Sequence, residues 1–419
     1  MSNQHHSHHT NHKNQSSDLV PELRFPEFEG EWIYKKVGEL CDFIVPGRNK
    51  PQEFNGDIPW ITTPDITHHR TIGTSKSGLA ISKEEAKNVG SKVVPIHSVV
   101  ISCVGELGIV ADTRNEIVIN QQLHAFIPLE SVNYKFLLYE LGNKKKYMER
   151  VATKTAVPYM NKDNCNSIPV NLPQPQEQQK IASFLTAVDK RIQLLEEKKE
   201  NLERYKKGAM QQIFSQEIRF KDEHGNDFPD WEEKKLGEVC KLQGGFAFKS
   251  SKFRDEGIPI IRISNISNDN NYIDLNSIVY YDKIEKAASF SIKKGDLLIA
   301  MSGATTGKSS IYNLKDVAYL NQRVGLFNSI STTLYYPFLI QFVFSESFKK
   351  QLESLLVAGA QPNISSKDIE SLVLPYPSLR EQQKIASFLS AIDEAIEKVG
   401  KQIEDTQQFK KGLLQKMFV

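Results

Sequence analysis

The segment Glu177-Gln178-Gln179-Lys180-Ile181-Ala182-Ser183-Phe184-Leu185 recurs, residue for residue, as Glu381 through Leu389, at an offset of 204 residues (177 to 381). Nine identities in a row within 419 residues mark a duplication. The same offset continues outward. Tyr205-Lys206-Lys207-Gly208 returns as Phe409-Lys410-Lys411-Gly412, and Gln211 through Phe214 as Gln415 through Phe418. Pro158 and Pro173 return as Pro362 and Pro377. Earlier segments align at slightly different offsets, as insertions would cause. Trp32 through Cys41 resembles Trp231 through Cys240, Ile58-Pro59-Trp60-Ile61 resembles Ile258-Pro259-Ile260-Ile261, and Asn120-Gln121-Gln122 resembles Asn321-Gln322-Arg323. The chain is two copies of one unit of roughly 200 residues.

Each copy has two parts. The first has short apolar runs (Ser98–Cys103, Asp296–Met301), many Gly, Pro and Asn turns, and a few helical stretches. That composition predicts a mixed α/β (α+β) globular domain. The second part is polar, helical in period and free of internal proline. Ile181, Leu185, Val188, Ile192, Leu195, Lys199, Leu202, Lys206, Ala209 and Ile213 step by fours and threes, a heptad seam. The second copy repeats it with Ile385, Leu389, Ile392, Ile396, Val399, Ile403, Thr406, Lys410, Leu413 and Met417. Leu172-Pro173-Gln174-Pro175 and Leu374-Pro375-Tyr376-Pro377 lead into the two helices, where proline is tolerated. About 38 residues give a helix roughly 55–60 Å long. A single-file seam is too narrow to cover a large domain and calls for another helix. Copies related by a pseudo-two-fold axis would pair these helices as an antiparallel coiled coil. Packing back on the parent domain, or zipping to another chain, remain the alternatives.

The expected organisation is therefore a His-rich tail over 1–18, a globular domain over 19–175, a helical spacer over 176–215, a second globular domain over 216–379 and a second spacer over 380–419. The tail holds His5, His6, His8, His9 and His12, half of the ten histidines, and lacks the fixed geometry a metal site needs. Hydrophobic residues make up 39% and charged residues 25%, as in soluble globular proteins. No apolar run is long enough to span a bilayer, and no signal peptide is visible. Cys41, Cys103, Cys165 and Cys240 lie far apart, so reduced thiols and a cytoplasmic setting are expected. The net charge of +2 leaves room for local basic patches without demanding a nucleic-acid partner.

Catalytic motifs fail on inspection. Ser302-Gly303-Ala304-Thr305-Thr306-Gly307-Lys308-Ser309 resembles a phosphate loop, but three residues separate its glycines where four are needed. The other copy, Gly105-Glu106-Leu107-Gly108, has no Lys-Ser. Asp230, Glu232 and Lys234 evoke nuclease carboxylates, but residues two apart point to one side of a strand and cannot clamp a metal from two. No amino-methyltransferase motif, dinucleotide loop or convincing nucleophile set stands out. No catalytic residue, metal site or cofactor is assigned to the chain.

The globular parts offer polar and basic loops instead. In the first copy these are Gly47-Arg48-Asn49-Lys50, Thr62-Thr63, His68-His69-Arg70 and Asn120-Gln121. In the second they are Gly244-Gly245-Phe246-Ala247-Phe248-Lys249, Arg262, Asn265, Thr305-Thr306, Lys308, Asn321-Gln322-Arg323 and Asn363. Arg and Lys grip guanine edges, Asn and Gln grip adenine edges, and Thr methyls meet thymine. Lysines and glycine-loop amides hold phosphates. Similar polar positions recur in both copies while their identities differ, as two readers of different half-sites require.

Taken together, the chain resembles a type I restriction–modification DNA specificity subunit. The resemblance covers residues 20–419. It is carried by the duplicated segments Pro173–Leu185 and Pro377–Leu389, the Lys-Lys-Gly helix ends, the Trp32 and Trp231 repeat starts and the Gly303–Lys308 region. It implies two target-recognition domains, each reading one half of a bipartite site in double-stranded DNA. Their half-site centres would lie about one helical turn, roughly 34 Å, apart if both face one side of the duplex. It implies an antiparallel pair of helices as spacer, two methyltransferase subunits as partners, and restriction subunits in the full complex. S-adenosylmethionine, ATP and Mg2+ would belong to those partners. Lys199, Lys206, Thr406 and Lys410 interrupt the seam and would set register or dock partners. The rival functions are a coiled-coil protein-interaction scaffold without DNA binding and a degenerate phosphate-loop ATPase.

Overall fold

The computed structural model describes residues 19–46, 49–266, 271–358 and 363–419. The His-rich stretch 1–18, Gly47 and Arg48 of the first basic loop, and Pro362 lie outside the described residues. Two compact units result. One holds the chain as far as Leu195 together with Lys401–Val419; the other is Glu196–Gly400.

In the first unit, strands β1 (Ile33–Lys36), β2 (Cys41–Ile44), β3 (Ile58–Ile61), β4 (Thr71–Ile72), β5 (Ala80–Ile81), β6 (Val99–Ser102), β7 (Val110–Thr113), β8 (Val118–Ile119), β9 (Leu123–Pro128) and β10 (Pro169–Leu172) form three groups. The main sheet has the order β2-β9-β6-β7-β4, a smaller one β5-β3-β8, and β1 pairs with β10. The apolar run Val99-Val100-Ile101-Ser102 is the central strand, buried along its whole length. Such a strand reads as a continuous apolar run because both its faces are covered.

The second unit repeats the plan with β11 (Glu232–Lys235), β12 (Cys240–Gly244), β13 (Ile258–Ile261), β14 (Val279–Tyr281), β15 (Ser291–Ile292), β16 (Leu297–Ala300), β17 (Ser309–Ile311), β18 (Ala318–Leu320), β19 (Val324–Ser329) and β20 (Val373–Tyr376). Its sheets run β12-β19-β16-β17 and β14-β13-β18-β15, with β11 on β20. The chain is a tandem repeat of one mixed α/β unit.

The two long helices run Pro175–Phe214 and Leu379–Lys416. In the first unit Ile181, Leu185, Val188 and Ile192 share a core with Trp32, Phe136, Tyr139, Leu413, Met417 and Phe418. In the second, Ile385, Leu389 and Ile392 pack with Met210, Ile213, Phe214, Phe338 and Phe342. Each unit therefore contains the beginning of one long helix against the end of the other, antiparallel. Of the remaining seam positions, Val399 is buried, while Leu195, Leu202, Ile396 and Ile403 are half-buried.

The duplicated nonapeptide has a structural explanation. Glu177 and Gln178 are 1% exposed, and Glu381 and Gln382 fully buried. Arg24 makes a two-pronged pair with Glu177 (Nε–Oε1 2.8 Å, Nη2–Oε2 2.7 Å), and Trp32 Nε1 donates to Oε1 at 3.3 Å. Arg219 does the same for Glu381 at 3.3 and 3.0 Å. Gln178 accepts from the Asn133 N–H (2.9 Å) and donates to the Pro173 carbonyl (2.9 Å). Gln382 accepts from the Tyr335 N–H (2.8 Å) and donates to the Pro377 carbonyl (2.9 Å). Buried polar groups tolerate no substitution that leaves a partner unsatisfied. The segment occurs twice because each helix start must be plugged into its own domain.

Candidate nucleic-acid interface

In each unit the sheet built on β3 or β13 contains a parallel pair of strands. Trp60 and Ile61 of β3 face Val118 and Ile119 of β8, and Ile260 and Ile261 of β13 face Tyr319 and Leu320 of β18. Parallel neighbours end on the same edge. The loops that follow, Thr62-Thr63 with Asn120-Gln121-Gln122 and Arg262–Asn265 with Asn321-Gln322-Arg323, are thereby brought together in pairs. Backbone bonds stitch each pair: Asn120 N–H to the Ile61 carbonyl (2.9 Å) and Asn321 N–H to the Ile261 carbonyl (3.0 Å).

In the first unit the Thr63 hydroxyl and Asn120 Nδ2 both donate to Gln122 Oε1 at 3.1 Å. Beneath them sits Asp65, 9% exposed. It accepts from the Thr62 N–H (2.7 Å), the Thr62 hydroxyl (2.6 Å), the Lys76 N–H (2.6 Å) and the Ser75 hydroxyl (3.3 Å). Burial raises its pKa, but those hydrogen bonds outweigh the effect and hold the carboxyl below its ordinary value. The Thr62 hydroxyl is thus committed to Asp65. Sequence reasoning passed over Asp65, although Thr62-x-x-Asp65 has the spacing of a capping box.

The second unit builds the same turn with other residues. Asn265 is fully buried, accepts from the Arg262 N–H (3.1 Å), and donates to the carbonyls of Asp274 (3.1 Å) and Asn276 (3.3 Å). Its side chain builds the loop, contrary to its listing among base-edge candidates on residue type alone. Arg262 is half-buried, donates to the Ser277 carbonyl at 2.6 Å, and lies 5.7 Å from the Phe253 ring centroid. The Thr305 hydroxyl donates to the Ile263 carbonyl (3.0 Å) and the Thr306 hydroxyl to the Gly303 carbonyl (2.6 Å). Glycines at both ends of the turn, Gly303 and Gly307, have φ of +85°, the left-handed region.

A second close approach explains Gly244-Gly245-Phe246. Phe246 accepts from the Gln322 N–H at 2.9 Å and donates its own N–H to the Leu320 carbonyl at 2.8 Å. A Cβ on Gly245 would fall 2.2 Å from the Asn321 carbonyl oxygen. Gly245→Ala should therefore displace the Asn321–Arg323 loop. Duplex binding should then weaken about tenfold, as a gel-shift titration would show.

Gln322 and Arg323 are exposed beside Met301 and Phe246, and the exposed Asn363 forms a backbone bridge with Ser302 at the same edge. Gln121 is exposed on the first unit's loop. Lys249 and Lys308 are exposed in the second unit, and Lys50 in the first. Arg70 directly precedes β4 of the main sheet. It is half-buried, next in sequence to His69, whose ring meets the last helix, and its charge acts on Lys410.

Comparison with known proteins fits this duplicated arrangement. The family described as "Type I restriction modification DNA specificity domain" matches residues 29–204 and again 229–405, one match for each copy. The chain belongs to the type I restriction–modification DNA specificity family. The type I restriction enzyme MjaVIII specificity subunit of Methanocaldococcus jannaschii is 28% identical over 413 residues, covering 94% of this chain and 92% of that one. The MjaIX specificity subunit of the same organism is 25% identical over 251 residues, 56% of this chain and 58% of that one. Among solved structures, the type I restriction-modification S subunit from M. genitalium shares the fold with a TM-score of 0.63 at 16% identity, covering 96% of this chain and 99% of that one. Specificity subunits are the non-catalytic, DNA-recognising members of restriction–modification systems, which accounts for the failed catalytic motifs. No described helix is long and apolar enough to cross a membrane.

Proposed function

We propose that each unit of this specificity subunit reads one half of an asymmetric bipartite site in duplex DNA. On this reading the two long helices set the spacer and dock two methyltransferase subunits. S-adenosylmethionine, ATP and Mg2+ serve those subunits and the restriction subunits, not this chain. One observation supports the assignment above others: both units offer the same loop edge at the ends of a parallel strand pair, with different side chains on it. Asn120 and Gln121 recur as Asn321 and Gln322, whereas Thr62 and Gln122 stand where the second unit has Arg262 and Arg323. Conserved geometry with divergent donors and acceptors is what two readers of different base sequences need. The basic side chains around each edge should contact phosphate, so affinity should fall steeply with salt.

Selection of bound and methylated duplexes from a random pool, using the subunit with its methyltransferase, tests the proposal. A two-part asymmetric motif with one fixed gap is expected. Enrichment of no motif by a stable complex would instead favour a protein scaffold.

The helix surface of the first unit supports the docking role. Phe184, Val188, Arg191, Asp405, Thr406 and Phe409 line a groove of about 450 Å³, and Phe409 is 54% exposed. Phe184, Ala187, Val188 and Phe409 share one groove, and an exposed apolar patch, unlike a lone side chain, suits a contact surface. Phe409→Asp should leave the fold intact and weaken assembly with the methyltransferase at least about tenfold, as expected for an aromatic anchor. Titration by light scattering or calorimetry checks it.

A further inference from the structure

Lysine is an expensive residue in an apolar helix seam, and here it appears at equivalent positions of both repeats. In the first unit the Lys410 amine pairs with Asp189 Oδ1 at 2.6 Å, and lies 3.0 Å from His69 Nδ1 and 5.4 Å from the Tyr139 ring centroid. Tyr139 donates its hydroxyl to the other Asp189 oxygen at 2.7 Å. The charged pair is nearly withdrawn from water, at 12% and 17% exposure. Burial pushes the Lys410 pKa down, and Asp189 works against that shift. His69 is held neutral, because burial first and Lys410 second drive its pKa to about 2. Its Nε2 has no hydrogen-bond partner and abuts Gly142, where a Cβ would lie 2.1 Å away.

In the second unit Lys206 takes both oxygens of Asp393 at 2.6 and 2.8 Å, and Gln341 Nε2 donates to the same carboxylate at 3.0 Å. The lysines and the aspartates are separated by the same interval as the nonapeptides (206 to 410, 189 to 393). Tyr139 and Gln341 stand on corresponding short helices, Tyr134–Gly142 and Tyr336–Val343. Each node thus joins both long helices to the globular part of its own unit. The first node also holds His69, the neighbour of Arg70.

A buried polar residue at a coiled-coil core position lowers stability but admits one register. Apolar residues of similar volume are often as stable or more so. We propose that the Lys410–Asp189 and Lys206–Asp393 nodes are positioning residues for DNA recognition. Each admits a single seat of its reading sheet on the paired helices, and together they restrict the chain to one spacer length. The proposal rests on the half-site reading above. The relevant scale is small: one helical turn rises about 5.4 Å and one base pair about 3.4 Å, so a seat displaced by a turn shifts a reader by between one and two base pairs.

The test uses the full chain with its methyltransferase and the double variants Lys206→Met/Asp393→Leu and Lys410→Met/Asp189→Leu. Methylation is measured on duplexes with the selected gap and with gaps one base pair longer or shorter. The melting temperature should hold or rise and both half-site motifs should persist. The preference for the selected gap should fall about tenfold. A purely structural pair would change melting and leave that preference alone. Folded double variants with the wild-type preference, or with altered half-sites at an unchanged gap, would overturn the proposal. If an apolar pair does not fold, Gln341→Leu carries the test. It cuts the second node from the globular helix, keeps the ion pair, and should reduce the preference about threefold; no reduction overturns the proposal equally. Failure of the half-site reading would show differently, as wild-type protein that enriches no two-part motif.

Discussion

On the proposed half-site reading, Asp65→Ala should abolish most recognition of one half-site and leave the other untouched. The carboxylate satisfies four donors, from Thr62, Ser75 and Lys76, and together with a bond from the Lys76 amine to the Pro64 carbonyl (2.5 Å) it ties the turn to the Ser75-Lys76 loop. Hydrogen bonds to a charged group contribute about 1.5–3 kcal/mol each, and removing the acceptor strands buried donors. Even if most of that is recovered by relaxation, a loss of about 100-fold in affinity for the first unit's half-site is expected. Gel-shift titration on duplexes altered in each half-site separately would show it. Equal loss on both half-sites would mean that Asp65 supports the whole fold, not one reader. The pH dependence has a definite sign. The folded pKa is depressed, so the stabilisation is complete above the ordinary carboxyl value near 4 and is lost as pH falls through the lower folded value. The second unit should lack this acid sensitivity, because Asn265 holds the equivalent turn with an amide. Asn265→Asp should be damaging there, since it would aim an oxygen at the carbonyls of Asp274 and Asn276.

Arg24→Met should be the most destabilising single change at the helix starts. It leaves Glu177, 1% exposed, with a buried charge and only the Trp32 N–H. Breaking a buried pair from one side typically costs about 3–5 kcal/mol, and the 13% exposure of Arg24 places the expectation near the lower end, about 3 kcal/mol. Arg219→Met should cost less, about 1–2 kcal/mol, because Arg219 is 23% exposed and its bonds to Glu381 are longer. Denaturant melts followed separately in the two units would rank the variants. The reverse order would show that the nonapeptide plugs its two domains with unequal strength for reasons outside these ion pairs.

The helices were legible because their information is local and periodic. Heptad steps over forty residues, and identity at a fixed offset, survive divergence. The paired loop edge was legible only in outline. Its parallel pairs rest on strands as short as Val118–Ile119, whose partners lie some sixty residues away in sequence, and no local pattern announces them. Residue chemistry pointed to polar loops but could not separate the exposed Gln322 from the buried Asn265, since both are amides in polar surroundings. The interrupting lysines were visible as anomalies. Their partners, Asp189 and Asp393, were hidden among ordinary helix-surface acids, although their equal separation was available as a signal.

The division of the chain into a contiguous unit and a discontinuous one bears on how the protein is made. Glu196–Gly400 contains everything its core needs in one unbroken run of chain. The other unit buries Trp32 against Phe418, with ring centroids 6.1 Å apart, and counts Leu413 and Met417 in its core. Its first residues leave the ribosome long before its last. At about 5–20 residues per second, the N-terminal half waits tens of seconds with part of its apolar surface uncovered. Domains are ordinarily finished in the order they emerge; here the one translated first waits for the last residues of the chain. The nascent N-terminal segment is therefore where chaperones should be found bound, and truncation of the final turn of the last helix should impair the domain most remote from it in sequence.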